Sequence, residues 1–211
     1  MAFAPVCLSP DAPRIFKKFS QQKIERQFLE PVHQLMRRGV QRCAPQTTFE
    51  VTIVNNLLAV ISGLSALGYV QKGNDSGVRF RQVLFDQYPW SCEPVQISDR
   101  AVWVEALYFR YRNPFAHSLG LDDRDMRAIK GTRLPLRISG TYRGYSETDL
   151  NQIEVAKIRP QWPETLRFNS VRILLKTEGL YWGVRRTIEA MSQDGGCMIN
   201  AERFLRSLPH W

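Results

Sequence analysis

The sequence predicts a mainly α-helical protein, a bundle of four to five helices with a small β-strand insertion around 133–160. Three observations carry that expectation. Apolar residues recur at three- and four-residue steps through most of the first 120 positions and again after Pro163, the spacing of one helix face. Between those stretches Leu134, Leu136 and Ile138 alternate with other residues, as do Ile153 and Val155, with Gly140 and Gly144 between them. That two-residue period suits two or three half-buried strands. A chain of 211 residues also suffices for one sizeable core, so 1–211 reads as a single domain.

Residues 1–15 read as an irregular arm, carrying Pro5, Pro10 and Pro13. A helical pattern runs from Phe16 to about Cys43, with Phe28, Val32, Leu35, Met36 and Val40 on one face and Pro31 as a point where it can kink. Pro45 ends it. Thr47-Thr48-Phe49-Glu50 has the form of a capping box, a hydroxyl and a carboxylate three apart before an apolar run. The second helix should reach about Val70 and bury Val54, Leu57, Leu58, Ile61 and Leu64. Its small residues Gly63, Ser65, Ala66 and Gly68 would let another helix approach closely.

Gly73 to Gly77 reads as a loop, and Val78 to Tyr88 as a third, shorter helix. A fourth helix should start near Ser98 or Asp99, either of which suits an N-cap, and is rich in Trp103, Tyr108, Phe109 and Tyr111. It is expected to break at Asn113, because the residue before a proline is pushed out of helical geometry. Pro114 would then open a new turn, with Asn113 as its cap. A β-containing insertion is assigned to 121–168 and C-terminal helices to 170–211. The first of these should cover about Ser170 to Gln193, and a last short one Asn200 to Arg206.

Charge narrows the partners. Lys and Arg number 29 against 20 acidic residues, for a net charge of +9, and 22 of the 29 are arginines. Guanidinium groups grip phosphate in a two-pronged way and stack on bases, so the bias points to nucleic acid. The four cysteines lie far apart and form no CxxC pair, so neither a metal site nor a disulfide framework is expected. No unbroken run of eighteen apolar residues and no charged-then-apolar leader occur, so the expected setting is the cytoplasm, with no membrane span. Walker, GxSxG, zinc and Rossmann motifs are absent. Asp122, Asp123 and Asp125 read as a solvated helix start, since they lack the spacing and glycine of a calcium loop.

The sharpest local feature is Arg112-Asn113-Pro114-Phe115-Ala116-His117, which gathers a cation, an amide and an imidazole around the expected break. Five positions along an unbroken helix would turn Arg112 and His117 about 140° apart, and a break can correct this. A new helical turn would also offer free N–H groups to an anion near His117. The chain has two other Arg–His pairs at comparable spacing, Arg26 with His33 and Arg203 with His210. Context separates them: the first lies within one helical stretch and the second in the tail.

With its polar residue after the arginine and its place at the end of a long helix, Arg112-Asn113-x3-His117 resembles the motif of the HEPN superfamily. The helical order from Phe16 to Gly120 is similar to that family's four-helix domain. The resemblance implies a HEPN-like bundle and metal-independent cleavage of RNA, with no cofactor and no metal. His117 would act as general acid or base, Arg112 would stabilise charge on the phosphate and Asn113 would hydrogen-bond a hydroxyl or phosphate oxygen. A homodimer would present two copies of the motif to one cleft, and a toxin or defence effector with an antitoxin partner is one setting for it. Ser118 and Leu119 follow the histidine where some HEPN toxins carry a tyrosine, so regulation through that tyrosine is not expected. Tyr111, Arg110, Arg37, Arg38, Arg185 and Arg186 are the candidate RNA contacts, with Tyr111 the aromatic expected to face the cleft. Two other readings stand beside this one: a non-catalytic HEPN-like module that binds RNA or protein, and a basic helical DNA-binding protein.

Overall fold

The computed structural model describes residues 9–41, 47–69, 75–92, 100–113, 136–139, 164–168 and 173–208. Within these the protein is mainly helical and carries one small sheet. The first helical path is continuous: α1 (Ala12–Phe19), a π-helical segment (Ser20–Leu29) and α2 (Glu30–Gln41). It begins inside the expected irregular arm, because Pro13 sits in the first turn, where its missing N–H is no loss. The π-helical stretch was not expected from the sequence. It ends one residue before Glu30-Pro31, and the Glu30 N–H reaches back five residues to the Glu25 carbonyl. A proline in an α-helix clashes with the carbonyl four residues earlier, and a wider turn relieves that clash. The helix therefore passes through Pro31 without ending.

The remaining helices are α3 (Thr47–Gly68), α4 (Ser76–Gln87), α5 (Arg100–Glu105) with a π-helical extension (Ala106–Arg112), α6 (Thr177–Gln193) and α7 (Gly195–Arg206). A 3₁₀ turn covers Trp90–Cys92. The α3 helix starts where the capping box predicts, and it is the centre of the core. It packs against α2, α4, α6 and α7, with Val54, Leu57, Ile61 and Leu64 all fully buried. Its stretch Glu50–Gly68 is long and apolar enough to cross a membrane, which the sequence reading did not anticipate, and its packing gives that character a use inside the bundle. Asp75 caps α4 by accepting from the Gly77 and Val78 N–H groups at 2.7 and 3.2 Å. Asp194 caps α7 through the Cys197 N–H at 2.9 Å, so this last helix starts earlier than expected.

The sheet has strand order β1-β3-β2, from β1 (Leu136–Ser139), β2 (Leu166–Phe168) and β3 (Ile173–Lys176). β1 runs parallel to β3 with Leu136 opposite Ile173, and β2 runs antiparallel to it with Leu166 opposite Leu175. The β1 strand falls where the alternation predicts, while Ile153 and Val155 lie outside the described residues. The helix expected from Ser170 is corrected, since residues 173–176 form the middle strand and the helix begins only at Thr177. Four apolar or amphipathic residues in a row fit either structure, and pairing on both edges decides for the strand. Ile173 and Leu175 point into the core while Leu174 and Lys176 are half-buried.

A partly buried polar seam joins the end of α3, α4 and the start of α7. The Tyr69 hydroxyl donates to Asp86 Oδ2 at 3.1 Å, and Gln87 Nε2 reaches both the Tyr69 oxygen and Asp194 Oδ2, at 3.2 and 3.0 Å. Asn200 donates to the Gly68 carbonyl at 2.8 Å. Burial, and then the Asp194 charge, push the Cys197 thiol up to about 12, so it stays protonated and inert as a nucleophile.

Candidate functional site

Arg112 closes the second π-helical segment. Its neighbour Asn113 keeps right-handed helical geometry, φ −66° and ψ −49°, with its N–H bonded to the Tyr108 carbonyl five residues back. The expected break at Asn113 is thus corrected, as is its expected role as a cap. The cause parallels the first helix: each π segment stops one residue short of an X-Pro pair, Glu30-Pro31 or Asn113-Pro114, and the widened turn lets the residue before proline stay helical. His117 and Pro114 lie outside the described residues, as do Ser118, Leu119, His210 and Asp122 to Asp125.

The Arg112 guanidinium lies 5.6 Å from the Tyr108 ring centre and 5.9 Å from that of Phe80. Its Nη1 stands 3.4 Å from Asn113 Oδ1, so the two side chains adjoin. Tyr108 carries a second guanidinium, that of Arg81, at 5.1 Å, and Arg81 also covers Phe109 at 5.4 Å. Each such contact contributes about 0.5–1 kcal/mol at a partly exposed site. More usefully, aromatic faces hold the planar forks in place without using up their N–H donors, which remain suited to a phosphate. Gly77 makes room for the arrangement, because a Cβ there would overlap the Tyr108 hydroxyl. Phe80 and Arg81 come from α4, about thirty positions away in the chain, and no local pattern pointed to them.

The other named residues divide. Tyr111 is 1% exposed, and its hydroxyl donates to the Ile173 carbonyl at 3.2 Å. It anchors the π segment to β3 and does not face a cleft, which corrects the expectation of a base-stacking role. Arg185 Nη1 donates to Glu25 Oε1 at 2.8 Å and to the Tyr181 hydroxyl at 3.0 Å. Arg186 Nη1 meets Glu189 Oε2 at 2.5 Å. Both are neutralised by carboxylates, so neither has the free charge that a phosphate contact needs. Arg37 is exposed on α2, and the side chains of Arg38 and Arg110 lie outside the described residues.

His33 belongs to this second cluster. Its ring stacks on Tyr181 with centres 5.4 Å apart and planes 19° from parallel. Burial, followed by the charges of Arg37 and Arg185, holds its pKa below the ordinary imidazole value. Among the described residues, no group of three His, Cys, Asp or Glu side chains could hold a metal ion.

A third feature escaped the sequence reading. Arg14, Lys17, Lys18, Gln21 and Gln22 form an exposed stripe along α1 and the start of the π segment, beside Arg206 of α7. The three- and four-residue spacing of these residues was the available signal. Comparison of the chain with protein-family models, with curated proteins and with solved structures finds no match to any of them.

Proposed function

We propose that the chain is a HEPN-type, metal-independent endoribonuclease that works as a homodimer, with Arg112, Asn113 and His117 as its reacting group. One observation supports this most: Arg112 and Asn113 adjoin, and the guanidinium is backed by Tyr108 and Phe80, five positions before an imidazole in the sequence. A preoriented fork of this kind can bind a phosphodiester and stabilise the charge that grows on it during attack. In the reaction, the ribose 2′-oxygen forms a bond to phosphorus as the bond to the 5′-oxygen breaks, leaving a 2′,3′-cyclic phosphate and a 5′-hydroxyl. One His117 removes the 2′-hydroxyl proton and the second copy gives a proton to the leaving oxygen, which is why a dimer is required. The basic balance of the chain suits RNA as substrate, and a toxin or defence role with an antitoxin partner follows from the same reading.

A second reading is favoured by the helical backbone at Asn113. The turn that would bring His117 round towards Arg112 is not made there, and a module that binds RNA or protein without cutting needs no such turn.

Cleavage of end-labelled RNA by the purified protein, with a chelator present, separates the two. The nuclease reading expects cyclic-phosphate products and a loss of roughly 10²–10⁴-fold in rate for His117→Ala. Equal cutting by both proteins removes His117 from the chemistry. Binding of RNA without any cutting supports the module, and salt-dependent retention of duplex DNA alone supports a DNA-binding role.

A further inference from the structure

Arg81 on α4 and Arg112 at the end of the second π-helical segment meet at one ring. Their guanidiniums lie 5.1 and 5.6 Å from the Tyr108 ring centre, so they stand no farther apart than those two distances together. Each also has a ring of its own, Phe109 for Arg81 at 5.4 Å and Phe80 for Arg112 at 5.9 Å. Tyr108 joins these two rings, with centres 4.8 Å from Phe109 and 5.7 Å from Phe80. Phe80 is fully buried while Tyr108 and Phe109 are half-buried, so the aromatic group runs from the core to the surface and carries one cation at each of its two contacts.

Two like charges on one ring repel, and a carboxylate between them is the usual remedy. Among the described residues neither guanidinium forms an ion pair, and Arg81 makes no hydrogen bond. One acid lies in the field of Arg81. The Val78 and Gly77 N–H groups, and after them the Arg81 charge, hold the Asp75 carboxyl below its usual range. That carboxylate is engaged in the α4 cap, accepting from Gly77 at 2.7 Å and from Val78 at 3.2 Å. The donors of Arg81 are therefore oriented by stacking and open to an anion from outside.

We propose that Arg81 grips the phosphate next to the one held by Arg112, so that the site takes strands with at least two consecutive phosphates; this rests on the ribonuclease reading given above. A planar fork binds phosphate in a two-pronged way, and the ring beneath it fixes its plane before the strand arrives. Neighbouring phosphates bring one negative charge to each cation, which offsets the repulsion between them. Each phosphate so neutralised releases counterions, and the salt dependence of binding counts them.

The test uses the full chain and a fluorescent 2′-O-methyl RNA strand, which cannot be cleaved through its 2′-oxygen. Arg81→Gln is expected to bind roughly tenfold more weakly at low salt. Its slope of log affinity against log salt should be shallower by roughly 0.7, the value for one phosphate of a single strand. Arg112→Gln should do the same, and the double variant should be shallower by roughly 1.4. Arg81→Lys, which keeps the charge and loses the planar stack, should keep the wild-type slope, whereas a packing role alone gives Lys and Gln equal slopes. If Arg81→Gln fails to fold by circular dichroism, Arg81→Met, whose stem still covers the rings, carries the same expectation. An unchanged slope in the neutral variant overturns the proposal. So does a double variant no shallower than Arg112→Gln alone, which puts both cations on one phosphate. Loss of polyglutamate binding in Arg81→Gln, with RNA affinity unaltered, gives Arg81 to an acidic protein surface and overturns it as well. Failure of the nuclease reading shows separately, as wild-type protein that binds the strand through Arg81 and never cuts unmodified RNA.

Discussion

Glu25 and Arg185 are separated by 160 positions and meet at 2.8 Å, joining the first π-helical segment to α6. The pair is mostly shielded, with side-chain exposures of 31% and 19%. The guanidinium also lies over the rings of Trp182 and Tyr181, at 5.5 and 5.8 Å. Removing Arg185 therefore takes away the charge partner of a half-buried carboxylate and the cation over both rings. Arg185→Ala is expected to lower stability by about 1.5–3 kcal/mol, the scale of a hydrogen bond to a charged group. Urea unfolding measures it. Strand affinity of the folded variant should match wild type, and a tenfold loss there would make Arg185 a phosphate contact after all.

His33 makes stability depend on pH near neutrality. It faces Arg37 on its own helix and Tyr181 and Arg185 on α6, and burial with those two positive charges favours its neutral form. Its folded pKa is thus below the ordinary 6.5, and the unfolded chain binds the proton more readily. The stability it contributes is full above pH 6.5 and is lost as pH falls through that value towards the lowered folded one. His33→Gln should flatten the stability profile between about pH 5 and 7. The Glu164 carboxylate gives a separate window. Burial alone would raise its pKa, but hydrogen bonds from Arg167 and Lys176 outweigh this and hold it below 4.5, so its contribution disappears only in more acid solution. A profile that His33→Gln leaves unchanged near neutrality would contradict the assignment.

Two helical glycines should respond to alanine with opposite signs. At Gly183 a Cβ would overlap the Tyr88 phenol, whose hydroxyl is fixed 2.6 Å from Thr165 Oγ1. Gly183→Ala is expected to destabilise by about 1–3 kcal/mol through overpacking. At Gly63, exposed on α3, a Cβ meets nothing within 4 Å. Gly63→Ala should stabilise by roughly 0.5–1 kcal/mol, because alanine loses less backbone freedom on folding. Thermal unfolding of the pair checks both. Shifts in the same direction would mean that the packing around one of these glycines is misread.

Much of this was legible locally. Periodicity placed α3 and α4, composition gave the positive charge, and alternation found β1. The sequence also showed Asn113 next to Arg112 and Pro31 within a helical pattern. It did not show that the residues before these prolines, Glu30 and Asn113, keep helical geometry after a widened turn, because the rule for residues preceding proline assumes an α-helical turn. The stripe along α1 was visible as spacing, but its facing arginine, Arg206, comes from the other end of the chain.

By itself, then, the sequence determined a helical protein with a positive surface and a small β region, since helix periodicity, charge and alternation are properties of neighbours in the chain. Tertiary structure decided what those neighbours could not. Ile173–Lys176 became a strand because β1 and β2 pair with both of its edges. Tyr111 became a core anchor because the Ile173 carbonyl lies within reach of its hydroxyl. Arg185 and Arg186 ceased to be open cations because Glu25 and Glu189 neutralise them, while Arg112 acquired an aromatic backing from α4. The physical reason is the same in each case: a side chain's chemistry is set by the groups within a few ångströms of it, and folding brings most of those from distant parts of the chain.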